Sequence, residues 1–298
     1  MPKLTLMVGE SASGKSTRAA ELLLEAQKAG RNCVRVNRDN IREMLWGKDS
    51  SWDLRLKREN EALVKNIEKK NAYFALLGNF DIIIDDINIS EKTQNSWMQF
   101  TKDCWKNNGI QVEFQIGRMT TSFDECLLRD ARRTGKEQVG RAVIERQFLT
   151  SGRADFGTKK IVLVDVDGTL CNHEGIRSPF DETRVIFDKP YEVVVKWVQQ
   201  LAPFYTIVIV SGRHCSCGQD TISRLNDYYI HYDHLLMRNS GDNRPDNIIK
   251  QELLDGMYKC GVTKEQIAFV LDDRPKVLRM WKENGLTAYP VRGAVEEF

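Results

Sequence analysis

Short apolar runs alternate along the chain with longer segments in which apolar residues recur every three or four positions. In the first half the strand-length runs are Leu4–Val8, Cys33–Asn37, Phe80–Asp86 and Val112–Gly117. Each is followed by a helical pattern: Lys15–Ala29, then Asp39–Leu45 with Trp52–Leu77, then Glu91–Asn108, then Ser122–Arg133. Alternation of this kind predicts mostly parallel sheets covered by helices on both faces. The stretch from Leu149 to Lys160 breaks the pattern. It restarts with Ile161–Val164, a helix around Pro190–Leu201, Thr206–Val210 and Ile267–Leu271. Two tandem α/β domains are expected, over residues 1–152 and 153–298.

Composition narrows this picture. With 298 residues, 41% hydrophobic and 29% charged, the chain has material for about two packed cores and is not disordered throughout. No run approaches the ~18 apolar residues of a membrane span, so no membrane role is expected. The seven cysteines are odd in number, and only Cys215 and Cys217 lie close together, which fits free thiols in a reducing cytoplasm. The formal charge divides into +4 over residues 1–150 and −2 over the remainder. A mildly basic first half beside an acidic second half fits a polyanion binder joined to a metal-dependent site.

Gly9-Glu-Ser-Ala-Ser13-Gly14-Lys15-Ser16 matches G-x-x-x-x-G-K-[ST] between a predicted strand and a predicted helix. Backbone N–H groups of such a loop curl around phosphate, and the helix adds the positive end of its dipole. Lys15 reaches the β- and γ-phosphates and the Ser16 hydroxyl ligates Mg²⁺, with Thr17 beside it. After the second strand, Asp39 is placed to accept a proton from an attacking hydroxyl, or else to cap the following helix. Arg38 and Arg42 beside it would hold an anionic acceptor. Asp85 and Asp86, ending the third strand, would orient that acceptor, hold Mg²⁺ through a water, or simply form a turn. Arg129, Arg132 and Arg133 would stabilise charge on the transferring phosphoryl group, or form a solvated helix face.

The second half carries a different chemistry. In Ile161–Val164 followed by Asp165-Val-Asp167-Gly168-Thr169, the residues at i and i+2 face one site. This resembles the D-x-D-G-T motif of the haloacid dehalogenase phosphatase superfamily, in which the first aspartate attacks phosphorus and the second serves as general acid, then base. The rest of that pattern follows in order: Ser211 with Arg213, then Lys250, then Asp272 and Asp273. Carboxylates from Asp165, Asp167, Asp272 and Asp273 are the oxygen ligands that Mg²⁺ prefers. Only about 40 residues separate Thr169 from Ser211, too few for a large cap, so the fold expected is a Rossmann-like domain with an open site.

Together, the phosphate loop, Asn37-Arg38-Asp39 and the aspartate domain resemble the phage-type polynucleotide kinase-phosphatases over essentially the whole chain. The resemblance implies ATP-dependent phosphorylation of 5′-hydroxyl ends and removal of 3′-phosphates with Mg²⁺. It also implies DNA or RNA ends as partners, a functional link to a polynucleotide ligase, a homo-oligomer, and a cytoplasmic setting (the host's, if the source is a virus). It makes Gly9, Ser13, Gly14, Lys15, Ser16, Thr17, Arg129 and Arg133 nucleotide-binding, with Arg133 on the lid. Asp39 becomes the kinase base, and Arg42 and Asp86 acceptor contacts. Asp165, Asp167, Arg177, Arg213, Asp246, Lys250, Asp272 and Asp273 become the essential phosphatase residues.

Other features read as structural. His231 and His234 have the spacing of a metal pair but sit in a polar, Tyr-rich stretch. Trp97 and Trp105 read as core, and Phe123 as a weak stacking candidate. Two alternatives compete with the polynucleotide reading: the same chemistries on a small nucleoside or sugar, and a nucleotide-gated binding module.

Overall fold

The computed structural model describes residues 1–48 and 58–291. It divides into two compact units, Met1–Arg129 and Asp130–Phe298. In the first unit the chain runs β1 (Lys3–Val8), α1 (Lys15–Lys28), β2 (Cys33–Val36), α2 (Arg38–Trp46), α3 (Arg58–Leu77), β3 (Asp81–Ile84), α4 (Glu91–Asn108), β4 (Glu113–Arg118) and α5 (Phe123–Ala131). The strands form one parallel sheet in the order β2-β3-β1-β4. Alternate residues of β1 feed opposite faces: Leu4, Leu6 and Val8 join one cluster with Trp97 and Val64, while Met7 joins Ala19 and Ile83 on the other side. A strand buried on both faces reads as a continuous apolar run, which is why the sequence pattern found it. Order reverses at β1, so the loop after β1 opens at the sheet's switch point, where such folds bind ligands.

The second unit continues with α6 (Arg141–Ser151), β5 (Ile161–Val164), β6 (Cys171–Asn172), β7 (Lys189–Pro190), α7 (Glu192–Leu201), β8 (Thr206–His214) and α8 (Gly218–Asp227). It ends with β9 (His234–Arg238), α9 (Asp246–Lys259), β10 (Ile267–Asp272), α10 (Pro275–Glu283) and β11 (Ala288–Pro290). Its sheet is parallel in the order β11-β10-β5-β8-β9, with the reversal at β5. All four residues of β5 are fully buried, Ile161 and Leu163 in one cluster and Val162 and Val164 in the other. At about 1.5–3 kcal/mol per buried aliphatic side chain, this strand anchors both cores. Between Thr169 and Ser211 lie only the β6–β7 pair, a 3-10 helix over Glu182–Phe187, and α7. No separate cap domain occurs there.

Residues 130–152 pack with the second compact unit: Ala142, Phe148 and Leu149 of α6 are buried, Ala142 and Leu149 within that unit's two clusters. Several expectations about single elements change. The helix expected over Ser122–Arg133 stops at Ala131, so Arg132 and Arg133 leave the helical face that carries Arg129. The Trp52 start of the third helical pattern lies outside the described residues. β9 and β11 were not anticipated, and Trp105 is 57% exposed rather than core, whereas Trp97 is buried. Among the described residues no helix is long and apolar enough to cross a membrane.

Candidate active sites

The loop after β1 is shaped for an anion. Gly14 takes φ +93°, a left-handed conformation that suits glycine, and no side chain caps α1, leaving its first-turn N–H groups directed at the loop. Lys15 is buried; its ammonium donates to the Glu10 carbonyl at 2.6 Å and lies 3.5 Å from Ser13 Oγ. Ser16 and Thr17 are exposed at the start of α1. Thr121 Oγ1 fastens the loop by donating to the Ser13 carbonyl at 2.8 Å. Arg129 approaches the same loop, its Nη1 lying 3.2 Å from where a side-chain carbon on Gly14 would stand, and its Nε donates to Glu125 at 2.6 Å. Arg133 belongs to the other compact unit, where its Nη1 donates to the Glu137 carbonyl.

The acceptor side lies at the carboxyl ends of β2 and β3. Asn37 is the N-cap of α2, its side-chain oxygen accepting from the N–H groups of Asp39 and Asn40. Asp39 is therefore not the cap, and its carboxylate is 64% exposed with Arg42 Nη1 donating to it at 2.6 Å. Arg42 is also held by Glu61 of α3 through two parallel hydrogen bonds of 2.7 and 2.9 Å. Arg38 sits 3.2 Å from Asp86 and 3.6 Å from Glu68. Arg38 and Arg42, expected from sequence as acceptor contacts, thus both have carboxylate partners with which an anion would have to compete. Asp85 is buried and tied to Arg35 of β2, so it serves the sheet edge. Burial, with Asp86 beside it, pushes the Glu68 carboxyl up to about 8. Sequence reasoning missed Glu61 and Glu68, although both sit on the face of α3 that the helical pattern turns inward.

The second site gathers at the end of β5. Asp165 Oδ1 lies 2.6 Å from the Lys250 ammonium, which also donates to Asp272 at 2.8 Å and stands 3.3 Å from Asp246. Thr169 Oγ1 donates to the other Asp165 oxygen at 3.2 Å. Asp165, Asp272 and Asp273 offer ligand oxygens within 4.8 Å of one another. Gly168, at φ +84°, is required twice over, because a side-chain carbon there would collide with the Asp273 carboxylate. Burial works against the Lys250 ammonium, but the Asp165, Asp246 and Asp272 carboxylates hold it charged. Burial drives the Asp165 carboxyl upward; Lys250 opposes this, and Asp272 and Asp273 reinforce it. Four carboxylates (165, 246, 272, 273) face two cations, Lys250 and Arg274, leaving two negative charges. A hard divalent cation answers that deficit, and an all-oxygen donor set fits Mg²⁺.

The Asp167 side chain, expected from sequence among the metal-binding carboxylates, lies outside the Asp165–Asp272–Asp273 group. Arg213 grips both its oxygens at 2.8 and 2.9 Å, and Arg177 donates to one of them at 2.7 Å. Burial alone would raise the Asp167 carboxyl, but Arg213 and then Arg177 outweigh it and hold it at about 2. The same two guanidiniums close on Asp188, a fully buried carboxylate at distances of 2.5 to 2.8 Å. Two arginines and two aspartates make a balanced quartet. Sequence reasoning missed Asp188, since it lies in no motif. Ser211 is buried beside this quartet, its hydroxyl accepting from the Arg213 N–H at 3.2 Å.

The remaining candidates are elsewhere. His234 pairs with Glu145 at 2.9 Å and packs on Phe156. Burial pushes both the Cys215 and Cys217 thiols up to about 12, poor metal or redox ligands.

Comparison with known proteins gives one domain for each site, with the family models meeting between residues 152 and 159. Residues 4–152 match the model of the AAA domain family, and residues 159–294 match that of the polynucleotide kinase PNKP phosphatase domain. A curated relative, a bifunctional polynucleotide kinase/RNA ligase of Autographa californica nuclear polyhedrosis virus, is 26% identical over 94% of this chain. The chain spans only 41% of that relative's length. Among solved structures, a chain of the Pnkp1/Rnl/Hen1 RNA repair complex is 27% identical, with 97% of this chain and 96% of that one covered at a TM-score of 0.42. A second structure of that complex matches at 29% identity with the same coverage and TM-score. The chain thus belongs to the AAA domain family over residues 4–152 and carries, over residues 159–294, a domain that matches the PNKP phosphatase model.

Proposed function

We propose that this chain heals nucleic-acid ends, transferring the γ-phosphate of ATP to 5′-hydroxyls and hydrolysing 3′-phosphates through an aspartyl phosphate. The observation that carries the reading is the pairing, in one chain, of a Lys15–Ser16 phosphate loop with a buried Asp165–Lys250–Asp272–Asp273 cluster, each at the switch point of its own sheet.

At the first site, the loop N–H groups and Lys15 hold the ATP phosphates, and Arg129 adds charge at the transferring group. Asp39 accepts the proton of the 5′-hydroxyl as its oxygen bonds to the γ-phosphorus and the bond to ADP breaks. Arg42 and Arg38 orient the acceptor. At the second site, Asp165 attacks the phosphorus of the 3′-phosphate while Asp167 gives a proton to the leaving 3′-oxygen. Water then attacks the aspartyl phosphate, Asp167 takes its proton, and inorganic phosphate leaves. Lys250 neutralises Asp165 and its neighbours, keeping the approach of an anionic phosphate feasible. Asp165, Asp272 and Asp273 would hold Mg²⁺, which would supply further neutralisation of the phosphate charge. An incoming phosphate competes for Arg177 and Arg213, loosening their hold on Asp167 so that it can carry a proton.

The products, a 5′-phosphate and a 3′-hydroxyl, are what a polynucleotide ligase joins, and the viral relative carries an RNA ligase in its name. The test is one oligonucleotide with a 5′-hydroxyl and a 3′-phosphate, incubated with ATP and Mg²⁺, with both ends read. Conversion of both ends is expected, and chelation of Mg²⁺ should stop phosphate release. An enzyme that turns over ATP but alters neither end contradicts the reading.

A further inference from the structure

The loop Arg177–Asp181 starts at a guanidinium of the second site and carries an exposed aromatic ring. Phe180 is 94% exposed, the most exposed large apolar side chain among the described residues. A lone exposed apolar residue is ordinary in itself. What distinguishes Phe180 is how its backbone is held. One nitrogen of Arg177, Nη1, donates to the carbonyls of Ser178, Pro179 and Asp181 at 3.3, 3.4 and 3.4 Å. The peptide group before Phe180 and the carbonyl of the residue after it are therefore fixed to a single buried guanidinium. Ser178 Oγ accepts from the Phe180 N–H at 3.3 Å, and the Ser178 carbonyl accepts from the Asp181 N–H at 3.0 Å. The Asp181 carboxylate then caps the next turn through Thr183. The loop is thus immobilised at every residue from 178 to 181 while the ring at its tip buries almost nothing.

The guanidinium that fixes the loop also donates to Asp167 at 2.7 Å, so one side chain joins the loop that carries Phe180 to the proton-transfer residue. Between Thr169 and Ser211 the chain builds only the β6–β7 pair, a 3-10 helix and α7, with no separate cap that could surround a substrate. A polynucleotide with its terminal phosphate at Asp165 has its last nucleobase just outside, where a rigid, solvent-facing ring can receive it. Stacking on an aromatic face suits any base and requires a platform already ordered.

We propose that Phe180 is the stacking platform for the nucleobase adjoining the scissile 3′-phosphate, and so sets the preference for nucleotide ends over other phosphate esters. This rests on the 3′-phosphatase reading above. The test uses the full chain with Mg²⁺ and two oligonucleotides that end in a 3′-phosphate, one with an ordinary terminal base and one abasic at that position. For Phe180→Ala, KM on the base-bearing end should rise about tenfold with kcat nearly unchanged, the size of one lost stacking contact. On the abasic end Phe180→Ala should match the parent, and Phe180→Trp should restore the low KM on the base-bearing end. An unchanged KM on the base-bearing end, or an equal loss on both ends, overturns the platform. A parent enzyme that releases no phosphate from either oligonucleotide overturns the phosphatase reading itself, and the platform with it.

Discussion

Asp39 and Asp165 are both proposed to act on a phosphoryl group, yet their surroundings are opposite. The Asp39 carboxylate is 64% exposed and has Arg42 as its ion-pair partner. The Asp165 side chain is 5% exposed, bonded to Lys250 and Thr169, and crowded by two further carboxylates. The difference follows from what each substrate brings. A kinase base needs only to stand near an incoming hydroxyl, since ATP supplies the phosphorus and the loop supplies the charge. A carboxylate nucleophile must approach an anion, so its site has to hold compensating charge before any substrate arrives. The second unit does this with two assemblies: the balanced Asp167–Asp188–Arg177–Arg213 quartet, and the cation-demanding cluster around Asp165.

The largest effects should separate the two sites completely. Lys15→Ala should lower 5′-phosphorylation by about 10²–10³-fold while leaving 3′-phosphate release intact. Asp165→Asn should do the reverse, abolishing release and sparing the kinase. End-labelling assays on one substrate read both, and loss of both activities in either variant would break the division. Next in size, Asp188→Ala should leave Arg177 and Arg213 with excess buried charge and destabilise the second unit by about 3–5 kcal/mol. Urea unfolding checks this; an unchanged midpoint would mean the quartet is not a charge-balanced unit. Asp39→Ala should cost the kinase about 10²-fold, the usual size of a general-base effect, with phosphate release unaltered. Near-full kinase activity would remove Asp39 from the mechanism.

The smallest effect concerns pH, and the two units should respond in opposite senses. Asp167 is held at about 2, below its unfolded value, so its contribution is complete above about pH 4 and is lost as pH falls toward 2. From that shift it amounts to about 2 kcal/mol. Glu68 is raised to about 8, so the folded first unit keeps its proton longer than the unfolded chain, and stability falls as pH rises from about 4.5 to 8. Asp167→Asn should flatten the acid limb and Glu68→Gln the neutral one, as read by calorimetry across both windows. Both variants flattening the same limb would contradict the comparison.

The motifs that were legible in the sequence sit at strand ends, where the chain must turn and where backbone geometry ties a residue type to a position. Gly14-Lys15-Ser16 and Asp165-Val166-Asp167-Gly168 are read from local spacing alone, and β5 from four consecutive apolar residues. What escaped depends on distant partners. Asp188 meets Arg213 across 25 residues and Glu61 meets Arg42 across 19, and neither pair leaves a local signature. β11, only three residues long, is a strand because β10 lies beside it. The α6 segment follows no strand, so an alternation argument had no place for it, and its buried Ala142 and Leu149 join the cores of the second unit.

The central claim is that Asp165 becomes covalently phosphorylated, and rapid quench with a radiolabelled 3′-phosphate oligonucleotide tests it most directly. Label should appear on the parent protein within the first turnover, decay as inorganic phosphate forms, and be absent from Asp165→Asn. Undiminished phosphate release by Asp165→Asn, or label on that variant equal to the parent's, would contradict the account.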